Sequence, residues 1–178
     1  MDQHPGATLA RSLLVAAPPL LDPNFDATVV AMLEHSPDGA LGVVLNRPLD
    51  LSVADVLPGW EDLVAPPRVL FAGGPVGDGT GVAVAVSPGG ELEILDLNVD
   101  PAEVELGDRR LRIFLGFAGW GAGQLEGELA ASMWIVLPPD PLADIVGEQP
   151  ESLWREVLRR QGGEIAWLAN SPRDPSLN

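Results

Sequence analysis

The sequence has no cysteine, no lysine and no tyrosine. Each of the first two absences closes a route to chemistry. Without cysteine there is no disulfide, no thiolate nucleophile and no sulfur-ligated metal. Without lysine there is no Schiff base and no phosphate-loop ammonium. The ten basic residues are therefore all arginine, set against 26 acidic ones, and the formal charge is −16. Neutralising phosphates takes clustered Lys and Arg, so direct nucleic-acid binding is disfavoured. Arg155, Arg159 and Arg160 make one local basic patch. Anionic membranes repel such a chain too. Histidine is scarce. His4 lies in a polar leader and His35 is the one histidine inside the expected fold, so a multi-histidine zinc site is excluded. No apolar run approaches the ~18 residues of a spanning helix. "LLVAA" is shorter than the ~7–15 residues of a secretory core and reads as a strand. The expected location is cytoplasmic.

What is present suits one domain. Of 178 residues, 46% are apolar, enough for a core without staples. The expected division is a flexible leader over 1–10, a domain over 11–170 and a flexible tail over 171–178. "SLLVAAP" predicts a first strand. Two β-branched runs around Pro37-Asp38-Gly39 predict a hairpin with strands near 28–35 and 40–46, the second apolar on both faces and hence central. "LSVADVL" predicts a short helix capped by Ser52. "RVLFAGGPV" predicts a strand entering a glycine turn. "GVAVAVS" and "ELEILDL" predict a second hairpin. "LRIFLGFA" and "SMWIVLP" predict strands on either side of a "QLEGELA" helix. "PESLWREVLRRQ" predicts the longest helix, with Leu153, Trp154, Val157, Leu158 and Gln161 on one face and a Glu151–Arg155 pair on the other. Gly162 and Gly163 stop it. Strands outnumber helices and two connections are hairpins. The fold class is α+β, a single compact domain of largely antiparallel sheets with short helices.

The glycine-rich stretches fail as nucleotide loops. In "GFAGWGAGQLEGEL" every register of the dinucleotide fingerprint puts a non-glycine at position three or six. The reading is a buried strand turning sharply beside Trp120 into a helix. "GGPVGDGTG" has Thr80 where a phosphate loop needs lysine, and reads as a tight turn. "DPNFD" and "DLNVD" lack the glycine and glutamate of a calcium loop and read as Asx-type turns. No metal and no cofactor are expected. Strand alternation sends Glu34 and His35 to opposite faces and puts His35 with Val29, Ala31 and Leu33, which favours a hydrogen-bonded structural histidine. It is still the one neutral-pH base in the expected fold. No serine sits in a nucleophile elbow, so no catalytic residue is assigned.

Taken in order, "SLLVAAPPLLDPNF", "ALGVVLNRPL", "FAGGPV", "GFAGWGAGQLEGEL" and "WIVLPPDP" resemble the AlgH/YqgE family of uncharacterised bacterial proteins. The resemblance runs over about 12–140. It implies a compact α+β fold of coiled, bifurcated sheets and no known reaction. A regulator label attached to some members finds no helix-turn-helix here. Two departures are visible. Phe117 stands where the family often has tyrosine, and "NVDPAEVELGD" is short where many relatives carry a helix. The candidate ligand-binding residues that the motifs carry over are Asp22, Asn24, Phe25, His35, Asn46, Arg47, Gly73, Gly74, Gly119, Trp120, Gly121, Gln124 and Glu126.

Polar residues gathered at turns, without a complete catalytic set, point to a non-enzymatic protein. It would bind a small molecule or a protein partner, with a regulatory role among the consequences. The alternative is a hydrolase-type enzyme using Asp22, His35 or Glu126 as acid or base. Convergence of those three side chains in one hollow would favour the enzyme.

Overall fold

A computed structural model describes residues 8–18 and 22–170. Most of the expected leader and the whole expected tail lie outside the described residues. The strands are β1 (Leu13–Ala16), β2 (Val29–Ser36), β3 (Gly39–Val44), β4 (Pro48–Ser52), β5 (Val69–Ala72), β6 (Val76–Val86), β7 (Leu92–Leu95), β8 (Arg110–Gly121) and β9 (Trp134–Leu137). The helices are α1 (Val53–Val56), α2 (Gln124–Ala130), α3 (Pro141–Ile145), α4 (Leu153–Gln161) and α5 (Gly163–Leu168). Every element predicted from periodicity is present. The mixed α/β single-domain expectation holds.

The strands run in the order β4-β5-β8-β3-β2-β1-β9, with β6 and β7 branching off β8. β8 is the bifurcation. Its first part pairs antiparallel with β6 from Val86↔Arg110 to Gly81↔Leu115, and its last part pairs with β3 from Gly42↔Ala118 to Gly39↔Gly121. β5 lies parallel to its middle through Phe71↔Phe114 and Ala72↔Leu115. β3 is central, as its two apolar faces require. Pro37 and Asp38 connect β2 to β3, and Gly39 closes the turn at φ +148°.

Alternation sorts the core. Leu13, Val15, Val29, Ala31, Val43 and Leu45 pack on one side of the sheet with Leu153, Trp154, Val157 and Leu158 of α4. Leu14, Ala16, Val30, Met32 and Val44 pack on the other with Leu125 of α2, Trp120 and Trp134. A third cluster joins Val53 and Trp60 to β5, β6 and the start of β8. Arg112 is buried on β8, 1% exposed, with its guanidinium 4.3 Å from the Phe71 ring centroid. It donates to the carbonyls of Ile145, Gly147 and Pro66. Burial, reinforced by Arg110, pulls its pKa down to about 10.

Five local readings are corrected. Ser52 stands at the start of α1, but its side chain makes no capping hydrogen bond. The glycine run does not turn at Trp120; β8 continues through Gly121, and the chain turns at 122–123, where Gly123 has φ +74°. "GGPVGDGTG" is not one tight turn. Val76 already pairs with Phe117, and residues 77–80 bulge out before Gly81 rejoins at Leu115. The double glycine ends α4 but starts α5. Glu151 and Arg155 form no ion pair among the described residues; the Ser152 hydroxyl donates to Glu156 instead, and Arg160 pairs with the buried Asp144.

Candidate functional site

The "DPNFD" turn connects β1 to β2 and is held mostly by side chains of the "NRP" corner. Asp22 Oδ1 accepts from the Asn24 amide at 2.8 Å, which makes the predicted Asx turn. The Asn46 amide clamps the far end of the turn. Its Nδ2 donates to Ala27 O at 2.9 Å, and its Oδ1 accepts from Val29 N at 3.0 Å. Arg47 clamps the near end, donating to the carbonyls of Asn24, Pro23 and Asp26. Burial lowers the Arg47 pKa, while Asp26 and Asp22 oppose that shift. The spacing of the two motifs thus has one physical cause. Two adjacent side chains satisfy backbone groups that the turn cannot satisfy itself.

Gly73 and Gly74 place a second wall beside Arg47. The Gly73 carbonyl accepts from Val44 N and the Arg47 carbonyl from Ala72 N, both at 2.8 Å. A Cβ on Gly74 would lie 2.2 Å from the Phe117 carbonyl, so only glycine lets this turn lie against β8. Between the walls is a hollow of about 120 Å³ lined by Asn24, Val44, Arg47, Ala72, Gly74 and Pro75. A larger one of about 360 Å³ opens on the Asn46 side, lined by Ala27, Asn46, Glu151, Ser152, Trp154 and Arg155.

His35 does not sit where simple alternation puts it. The β2–β3 register shifts between Met32 and Glu34, a β-bulge. One extra residue reverses the facing of everything after it. Leu33 packs with Val29 and Ala31, whereas His35 turns to the α2 side. There Nε2 lies 2.8 Å from Glu126 Oε1, and Nδ1 accepts from the Leu9 amide at 3.0 Å. An Nδ1 that accepts leaves the proton on Nε2, which donates to the carboxylate. The His35 side chain is 14% exposed and the Glu126 side chain 53%. The hydrogen bond from His35, helped by one from the backbone, holds the Glu126 pKa below the ordinary value.

A folded-state carboxyl pKa below the unfolded one has a definite sign. The Glu126–His35 contribution is present above the unfolded value of ~4.3 and is lost as pH falls through the lower folded value. Carboxyl-resolved NMR titration is expected to show this low midpoint and its upward return in His35→Ala. That variant also loses about 1–3 kcal/mol of stability, because the Leu9 amide is left without its acceptor. A Glu126 midpoint indifferent to the substitution would reject the coupling.

Trp120 is 6% exposed and lies in an aromatic cluster. Phe25 stacks on it at 6.2 Å between centroids, and Trp134 meets it edge-on at 6.1 Å. Both indole N–H groups donate to one oxygen, Glu128 Oε2, at 2.9 and 2.8 Å. Gln124 fixes this assembly. Its Nε2 donates to Glu128 Oε1 at 3.2 Å and its Oε1 accepts from the Gly121 amide at 3.1 Å. The sequence reading missed Glu128 and Trp134. The available signal was that a buried indole needs an acceptor, and Glu128 is an acid on the same short helix as Gln124.

A family model described as AlgH-like matches residues 13–166. The chain belongs to the AlgH-like family. Relatives agree over most of their lengths. This AlgH-like chain is 46% identical to a UPF0301 protein of Streptomyces avermitilis, with 97% of this chain and 96% of that one covered. It is 40% identical to a UPF0301 protein of Mycobacterium tuberculosis, covering 95% and 90%. A crystal structure of a Corynebacterium diphtheriae protein superposes with a TM-score of 0.84 at 30% identity over 95% of this chain and 94% of that one. The solution structure of the AlgH protein from Pseudomonas aeruginosa gives 0.68 at 32% identity over 97% and 98%.

In this AlgH-like chain the candidate residues fall into two groups. Asp22, Asn24, Asn46, Arg47, Gly73 and Gly74 belong to the turn and the walls beside it. His35, Gly121, Gln124 and Glu126 gather at the β2–α2 contact. Phe25 and Trp120 join the groups through their stack. Gly119 pairs with Leu41 within the sheet and lines none of the hollows described. The three candidate acid–base groups do not converge. Asp22 caps its own turn, while His35 and Glu126 pair with each other.

Proposed function

We propose that this AlgH-like protein is a cytosolic, non-enzymatic binding protein. Its ligand, a small molecule or a segment of a partner protein, is held at the 22–27 turn, and any regulatory role follows from that binding. The binding unit spans 11–170. The observation that carries the reading is the pair of hollows flanking a turn clamped by Asn46 and Arg47. Loops held on a rigid sheet are where binding residues concentrate. The hydrolase reading has the 2.8 Å His35–Glu126 contact in its favour. It is less well supported, because both ring nitrogens of His35 are already engaged and neither is left to take a substrate proton. With a formal charge of −16, duplex nucleic acid is not the supported ligand class.

A thermal-shift screen against cell metabolites, followed by hydrogen exchange, tests the proposal. A stabilising compound is expected to slow exchange at the amides of 22–27. Compounds that protect only elsewhere would overturn it. So would a compound turned over by the wild type and not by Glu126→Gln, a result that favours the hydrolase.

A further inference from the structure

Resting on that reading, we infer that the smaller hollow is a receptor for a singly charged carboxylate. Arg47 and the Asn24 amide take the head group, and a short aliphatic tail lies against Ala72 and Pro75. Four observations on the hollow converge on this ligand class.

The first is charge. Arg47 is a half-buried cation with no carboxylate at ion-pair distance among the described residues; its three partners are neutral carbonyls. A guanidinium has five N–H donors, so Nε–H and one Nη1–H are left without a partner among the described residues. Burial lowers the Arg47 pKa more than Asp26 and Asp22 raise it. The second is an unused side chain. Asn24 serves the turn through its backbone N–H and carbonyl alone, and its amide group makes no hydrogen bond among the described residues. It lines the same hollow as Arg47. An amide N–H beside a guanidinium offers donors to both oxygens of a carboxylate.

The third is size. The hollow has a volume of about 120 Å³. That admits a head group and a few carbons and is well short of the ~300 Å³ where pockets for larger ligands begin. The fourth is the surrounding field. Asp22 and Asp26 stand close enough to Arg47 to act on it, and the whole chain carries −16. A phosphate dianion meets that field with twice the charge of a carboxylate, so the monoanion is favoured.

The test is an amide NMR titration of the full chain with sodium propionate and, separately, sodium phosphate at matched ionic strength. The expected result is saturable shifts at the amides of Asn24, Arg47 and Gly74 with propionate in the millimolar range. Phosphate binds at least about tenfold more weakly, and so does propionate in Asn24→Asp, where a like charge faces the ligand. Asn24→Asp keeps the backbone contacts of the turn, and an otherwise unchanged spectrum verifies its fold. Propionate shifts that do not saturate, equal affinity in Asn24→Asp, or phosphate binding tighter than propionate would each overturn the assignment. If propionate fails while a screened compound still protects 22–27, the carboxylate assignment falls and the binding reading stands. If nothing protects the turn, both fall.

Discussion

Trp120→Ala lowers the free energy of unfolding by about 3–5 kcal/mol, the range for deleting a large core aromatic. Trp120 lies at the junction of two elements and a turn. On β8 it pairs with Ala40 of β3; through its ring it supports Phe25, and through its N–H it shares Glu128 with Trp134. Removing the indole therefore empties a buried volume and takes one of three donors from a half-buried carboxylate. It also removes the stacking partner that seats the 22–27 turn. Trp120→Phe keeps an aromatic ring but loses the N–H and part of the indole's buried volume, so it is expected to lose less than Trp120→Ala, about 1–3 kcal/mol. Urea unfolding of both variants checks the difference. A loss below about 1 kcal/mol for Trp120→Ala would mean that the ring is not an anchor and would favour a recognition surface.

Arg112→Met has an effect of similar size for a different reason. Methionine fills much of the space, but the carbonyls of Pro66, Ile145 and Gly147 lose the guanidinium that satisfied them. A buried acceptor left without its donor costs about 1–3 kcal/mol, and here three carbonyls depend on one guanidinium, set against the relief of no longer burying its charge. Those carbonyls belong to the segment before β5 and to the end of α3, so the C-terminal helices are expected to loosen first. Hydrogen exchange should show that loosening at 141–147 before the sheet gives way. An Arg112→Met protein with unchanged denaturation midpoint would show that these contacts are replaced by water at no cost.

The strands and helices were legible because burial leaves a period in the sequence. Val29 to Met32, Val43 to Leu45 and the Leu153/Trp154/Val157/Leu158 face all read correctly. What failed has physical causes that leave no period. The bulge at Met32/Glu34 adds one residue to β2, and parity counting then put His35 on the wrong face. Its true partner lies 91 residues away on α2. The Asn46 and Arg47 clamps are side-chain-to-backbone contacts, which follow from the shape of a turn and not from any alternation. Arg112 stands inside an apolar strand pattern, and its burial depends on three carbonyls that only the folded chain brings together. Gly162-Gly163 was rightly a stop for α4, yet a glycine pair does not forbid a helix beyond it, and α5 begins there. Phe25 of the "DPNF" turn stacks on the Trp120 ring, and "NRP" is tied to that turn through Arg47.

The place of β1 in the sheet sets a timetable for biosynthesis. β1 leaves the ribosome before the strands it pairs with and can join β2 as soon as the hairpin follows. Its other edge waits for β9, because Ala16 takes Trp134 as its partner. The carbonyl of Ala16 waits longer still, for the indole of Trp154 at a separation of 138 residues. Until β9 is made, then, the nascent chain carries an open apolar strand edge of the kind that recruits other chains. Chains that stall before β9 are expected to be aggregation-prone. That edge closes only once β9 has been made, and the Ala16 carbonyl only once α4 has.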